Sequence, residues 1–129
     1  MSALLLVSAG GCRSGACTQI GCADVPVSVH LPGLADVPGT GSVTACVGDD
    51  CTSTPVSASE LAGGATVETP VLRDEHVTYG RASVRVEVVG QDGQVVFADR
   101  ARPRVTTTQP NGRGCPPRCV SADGVNFAP

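Results

Sequence analysis

The sequence predicts an all-β domain: an antiparallel β-sandwich of immunoglobulin-like type with six to eight short strands, the alternative being a small β-barrel. Three observations predict it. Apolar residues recur with a period of two along several segments, as they do on a strand with one face on a core. The apolar content is mostly valine and alanine, with two Phe, one Tyr and no Trp, and 16 Gly and 10 Pro supply tight turns. No βαβ rhythm and no amphipathic helix interrupts the pattern.

The first element is read from Val25, Val27, Val29 and Leu31, which alternate with Asp24, Pro26, Ser28 and His30. Pro26 cannot donate to a ladder, so the segment is expected at a sheet edge or as a strand's first residues. Val43, Ala45 and Val47 face one way, and Ser42, Thr44 and Cys46 the other. Gly48-Asp49-Asp50 then turns the chain into Cys51 to Thr54. Residues 57–64 allow one helical turn before Gly63-Gly64, and Ala65, Val67 and Val71 suggest another strand. The strongest alternation runs from Ala82 to Val88. Gln91-Asp92-Gly93-Gln94 is an Asp-Gly hairpin turn leading back through Val95-Val96-Phe97. Tyr79 stands where sandwich domains place a corner tyrosine, a half-buried Tyr being the other reading. A last strand is expected from about Ala101 to Thr107, and residues 109–119 should form a rigid knob.

Seven cysteines cannot all pair with one another. Setting Cys12 aside leaves six at short spacings, which suggest the local pairs Cys17–Cys22, Cys46–Cys51 and Cys115–Cys119 among fifteen connectivities. Zinc is the competing reading, but Cys-x4-Cys and Cys-x3-Cys are not the usual knuckle spacing, and an exported chain favours disulfides. The N-terminus favours export. Ala3 to Val7 is a short apolar run, and Val7-Ser8-Ala9-Gly10-Gly11-Cys12 resembles a bacterial lipobox, with Ala9 in place of the usual leucine or valine and no basic n-region. The alternative is a buried first strand with a free cysteine. The expected organisation is a signal peptide over 1–11, truncated at its start, a lipidated tether over 12–16, and a β-sandwich over 17–129 with a disulfide-looped tail.

Pro110-Asn111-Gly112-Arg113-Gly114-Cys115-Pro116-Pro117-Arg118-Cys119, with the mid-chain Cys46-x4-Cys51, resembles small lipoproteins of actinobacteria that carry such a tail after a β-rich body. The resemblance implies location and fold, and no mechanism.

Chemistry is sparse. His30 is expected on an outward strand face, and His76 in the polar loop Arg73-Asp74-Glu75-His76. No nucleophile elbow, zinc helix or phosphate loop accompanies them. Asp49 with Asp50, or Asp74 with Glu75, could hold calcium, but adjacent acids in a turn are more commonly solvated. The expectation is no catalytic residue, no metal and no cofactor. A net charge of −3 argues against nucleic acid. Arg100, Arg102 and Arg104 cluster, and a solvated strand face accounts for them. The expected role is a lipid-anchored, extracytoplasmic, non-catalytic interaction or structural module, bound to the membrane through Cys12 and meeting a protein or envelope partner. The alternatives are a secreted inhibitor presenting a Cys115–Cys119 loop with Arg118 exposed, and a metal-dependent enzyme.

Overall fold

The computed structural model describes residues 17–128. The expected signal peptide, Cys12 and the expected tether lie outside them.

The strands are β1 (Pro26–His30), β2 (Thr40–Val47), β3 (Asp50–Ser57), β4 (Thr66–Val71), β5 (Val77–Thr78), β6 (Arg81–Ala82), β7 (Val84–Val89), β8 (Val95–Ala101), β9 (Val105–Thr108), β10 (Cys119–Ala122) and β11 (Val125–Asn126). Among the described residues, one short helix, α1 (Ala58–Gly63), and a 3-10 turn at Asp74–His76 link them. The two main sheets run β11-β1-β4 and β3-β2-β7-β8, with β5–β6 and β9–β10 as two-stranded ribbons. The arrangement is all-β and sandwich-like, mostly antiparallel, and among the described residues its sheets do not close into a barrel.

The alternation read from the sequence builds the core. Val27 and Val29 of β1, Val43, Ala45 and Val47 of β2, and Val84, Val86 and Val88 of β7 are all buried. Val67 joins them from β4, and Leu61 plugs the core from α1. Val25 is only half-buried. A valine side chain held at one χ1 suits this pleated packing, so the core needs few aromatics. Phe97 and Phe127 meet edge to face, with centroids 6.4 Å apart, where β8 passes the C-terminal segment.

One expectation is narrowed and two change. β1 lies between β4 and β11, so of the two placements expected for Pro26 the edge is excluded and the first residue of a strand holds. Pro26 is tolerated because it is the strand's first residue, while β11 pairs only at Val29 and His30. The expected strand 101–107 divides: β8 extends to Ala101, Arg104 forms a bridge with Arg81, and β9 begins at Val105. The tail beyond Cys119 carries two further strands, β10 and β11.

The 57–64 segment does form the expected helical turn. Ser57 caps α1 through a capping box with Glu60. Leu31 N–H donates to Ala65 O and Leu34 N–H to Leu61 O, which places α1 beyond the C-terminal end of β1. The opposite end of β1 leads back to Cys22, so the helix and the N-terminal cysteines mark opposite ends of the domain.

Candidate functional site: a disulfide knot and a histidine–aspartate lock

Cys46 and Cys51 stand directly opposite each other on β2 and β3, with Cα atoms 4.0 Å apart, and are bonded as expected. The turn between them places Gly48 at φ 59°, the first central position of a II′-type hairpin.

The other two local pairs are not formed. Cys17 bonds Cys115 and Cys22 bonds Cys119 (Cα separations 5.6 and 5.3 Å), so both disulfides join the two ends of the domain. The short spacings belong to two segments running side by side in the same sense, with each cysteine reaching across to the other segment. No closed Cys115–Cys119 loop exists, and with it goes the preorganised plug of the inhibitor reading. Arg118 is exposed and lies 3.9 Å from Asp74.

Asn111 is the centre of this knot. It is buried, and its Oδ1 accepts from Thr18 Oγ1 and from Ile20 N–H, both at 2.6 Å. Its Nδ2 donates to Ile20 O and Pro116 O, both at 2.8 Å. Every polar position of the amide in use here is matched.

At the same end of the domain, His76 reaches the β2–β3 hairpin. Its Nε2 lies 2.7 Å from Asp50 Oδ2, and its ring packs on Gly48. The Arg73 backbone N–H donates to His76 Nδ1 at 2.9 Å, which fixes the tautomer. Nδ1 must be bare, so Nε2 carries the proton and donates it to Asp50.

Asp50, Glu75 and His76 bring one ligand atom each within 4.8 Å of one another, a spacing compatible with a cation. The tautomer opposes that use. A metal on Nε2 requires the ring proton on Nδ1, where metal-bound histidines normally donate to a second partner. Here Nδ1 faces another donor, so metal binding would break the Arg73 bond. General-base chemistry meets the same obstacle, because both ring nitrogens are committed. The arrangement is a lock tying the Asp74–His76 turn to the hairpin. Asp74 faces Arg118 and Asp50 faces His76.

His30 lies at the other end of β1, with Nδ1 2.9 Å from Thr66 Oγ1. The structure therefore does not bring the two histidines together. Tyr79 fits neither expectation: it is 97% exposed at the tip of the β5–β6 hairpin.

No family model, curated protein or solved structure matches this chain. The site is thus read from its own geometry. Three disulfides place the domain in an oxidising, extracytoplasmic compartment, and no helix among the described residues is long and apolar enough to cross a membrane. Sequence reasoning missed Asn111 and Thr69. The Thr69 hydroxyl is buried, accepts from Val27 N–H at 3.0 Å and donates to Pro70 O at 2.8 Å, filling the register shift between β1 and β4. No spacing rule marks either residue, since both act on backbone groups distant in sequence.

Proposed function

We propose that this chain is an extracytoplasmic lipoprotein, held at the membrane through Cys12 and acting as a non-catalytic interaction module of the cell envelope. One observation carries the reading: the six cysteines from Cys17 onward pair entirely with one another, which leaves none of them for Cys12. A cysteine excluded from the disulfide framework, preceded by small residues and an apolar run, suits lipidation better than a free thiol in an oxidising compartment. The likeness to actinobacterial lipoproteins supports the same reading.

The connectivity adds an orientation. Residues 13–16 separate Cys12 from the knot, a reach of at most about 18 Å. The knot end then faces the bilayer, and α1 with the Gln91–Gly93 turn faces outward. A diacylglycerol group plus an amide-linked acyl chain anchors stably, whereas one chain is marginal.

Intact-mass analysis of the native protein tests this. The expected mass shows cleavage before Cys12, added diacylglycerol and acyl groups, and the loss of six hydrogens to three disulfides. Cys12→Ser should remain unprocessed and lose acylation. A mature chain without lipid, partitioning into the aqueous phase of a detergent extraction, overturns the proposal.

A further inference from the structure

A single antiparallel register joins residues 81–88 to 97–104. Arg81 pairs with Arg104, Val84 with Ala101, Arg85 with Arg100 and Val88 with Phe97. Between them Ala82 N–H donates to Pro103 O, and the same register sets Ser83 opposite Arg102. Burial alternates along the first strand, with Ala82, Val84, Val86 and Val88 buried and Arg81, Ser83, Arg85 and Glu87 exposed. Five of the nine arginines thus share one outer face in a chain of net charge −3: Arg81, Arg85, Arg100, Arg102 and Arg104.

Two of the rows set arginine directly against arginine, an arrangement that destabilises a strand pair. Among the described residues, none of the five has a carboxylate within ion-pairing distance. Glu87 and Asp99 border the recess of about 430 Å³ over Arg85 and Arg100 without closing on them. Asp49, Asp50 and Glu75 border a second recess, beside Arg81 and Arg102. None of these carboxylates forms an ion pair with the strip among the described residues, so an anionic partner would relieve the remaining repulsion.

The strip borders an open sheet edge. β8 is the last strand of its sheet, and among the described residues its outer side pairs with no other strand. Two other edge strands, β3 and β4, each contain a proline, Pro55 and Pro70, whose missing N–H hinders strand addition, and the proline-free edges β9, β10 and β11 run for only four, four and two residues against seven in β8. β8 contains none. Val95 and Val96 are exposed at its start, and Arg100, followed by Arg102 and Arg104, lies toward and beyond its end.

We infer that the β8 edge, together with the arginine strip, docks an extended acidic peptide as an added strand. Alternate residues of a strand repeat about every 6.8 Å on one face, so carboxylates at every second position would meet successive arginine rows. Apolar residues at the peptide's other end would cover Val95 and Val96. A phosphodiester chain could use the arginines but neither the open main-chain edge nor the two valines, which favours a peptide. This deepens the interaction-module reading by naming the partner's chemistry. It rests on that reading only in taking partner binding as the function.

The test uses the full oxidised chain and a synthetic nonapeptide with glutamate at alternate positions in one half and valine at alternate positions in the other. Titration followed by NMR and amide exchange should show saturable binding, with β8 amides exchanging at least tenfold more slowly in the complex. Replacing the glutamates by glutamine should weaken binding at least tenfold, as should Arg100→Glu with Arg102→Glu in a chain that keeps three disulfides and an unchanged melting temperature. The peptide-side replacement remains decisive even if the doubly substituted chain fails to fold. No saturation at millimolar peptide, equal binding of the glutamine peptide, protection away from β8, or β8 amides already protected in a dimer would each overturn the inference. Failure here with detergent partitioning intact removes the docking site and leaves the anchored module standing. Lost partitioning with peptide binding intact does the reverse.

Discussion

Asn111 pairs with Ile20 as a neighbouring strand residue would: its side-chain amide accepts from the Ile20 N–H and donates to the Ile20 C=O. One side chain thereby substitutes for a backbone ladder between segments 91 residues apart. Asn111→Asp changes no volume but replaces the donor by an acceptor. The carbonyls of Ile20 and Pro116 then lose their partner and face a carboxylate. The expected loss is about 3 kcal/mol, since each buried unsatisfied group costs about 1–3 kcal/mol. Equilibrium unfolding in denaturant measures it, and the Cys17–Cys115 bond should become faster to reduce in the variant.

The two terminal disulfides should be strongly non-additive. Each alone closes a loop of nearly the whole domain, 98 and 97 residues. In the chain-entropy model such a loop contributes about 4.7 kcal/mol. Once one is closed, the other closes only a ring of about ten residues, which contributes about 2.7 kcal/mol. Replacing either pair by alanine should therefore cost about 2.7 kcal/mol, and replacing both about 7 kcal/mol. A double-mutant cycle in denaturant reads the difference directly. Additive losses would mean that the unfolded chain already holds its ends together.

This pair of bonds also shows how far the sequence was legible. Strict alternation at Val27/Val29, Val43/Ala45/Val47 and Ala82 to Val88 identified the core faces, because burial on one side of a pleat leaves a period-two trace. Cys46 and Cys51 were legible because a hairpin turn stood between them. Cys17, Cys22, Cys115 and Cys119 were not, because spacing records distance along the chain and not which segments lie together. The same limit hid the arginine strip: alternation grouped Arg100, Arg102 and Arg104, but only strand register adds Arg81 and Arg85. The tail strands did leave a trace, in Val120/Ala122 and Val125/Phe127, beyond the proline-rich knob. Asn111 left none, since a side chain acting as backbone has no period.

His76 should matter for local order more than for global stability. His76→Ala removes the Asp50 bond, leaves the Arg73 N–H without its acceptor and opens space beside Gly48. About 1 kcal/mol is expected, because the hydrogen bond to Asp50 and the Arg73 N–H are both open to water, which takes the place of the lost partner. Amide exchange should accelerate over residues 73–78 while β7 keeps its protection. An even rise across both sheets would show that the histidine holds the core and not the turn.

Tyr79 is the position where substitution should stabilise. The turn Thr78-Tyr79-Gly80-Arg81 sets φ at 52° for Tyr79 and 73° for Gly80, a I′-type hairpin with both central residues left-handed. Glycine suits the second position. A tyrosine at the first incurs the steric penalty of its Cβ against the following carbonyl, about 1–2 kcal/mol. With its ring 97% exposed, it recovers almost no burial in return. Asparagine tolerates this conformation far better, so Tyr79→Asn should raise stability by about 1 kcal/mol. For a domain of this size that is a rise in melting temperature of about 3–6 °C. Tyr79→Val should move the other way, because a β-branched residue fits a left-handed turn worst. If both variants melt with the wild type, the turn conformation is not what Tyr79 strains against. If Tyr79→Asn melts lower, the ring makes a stabilising contact that its exposure does not reveal.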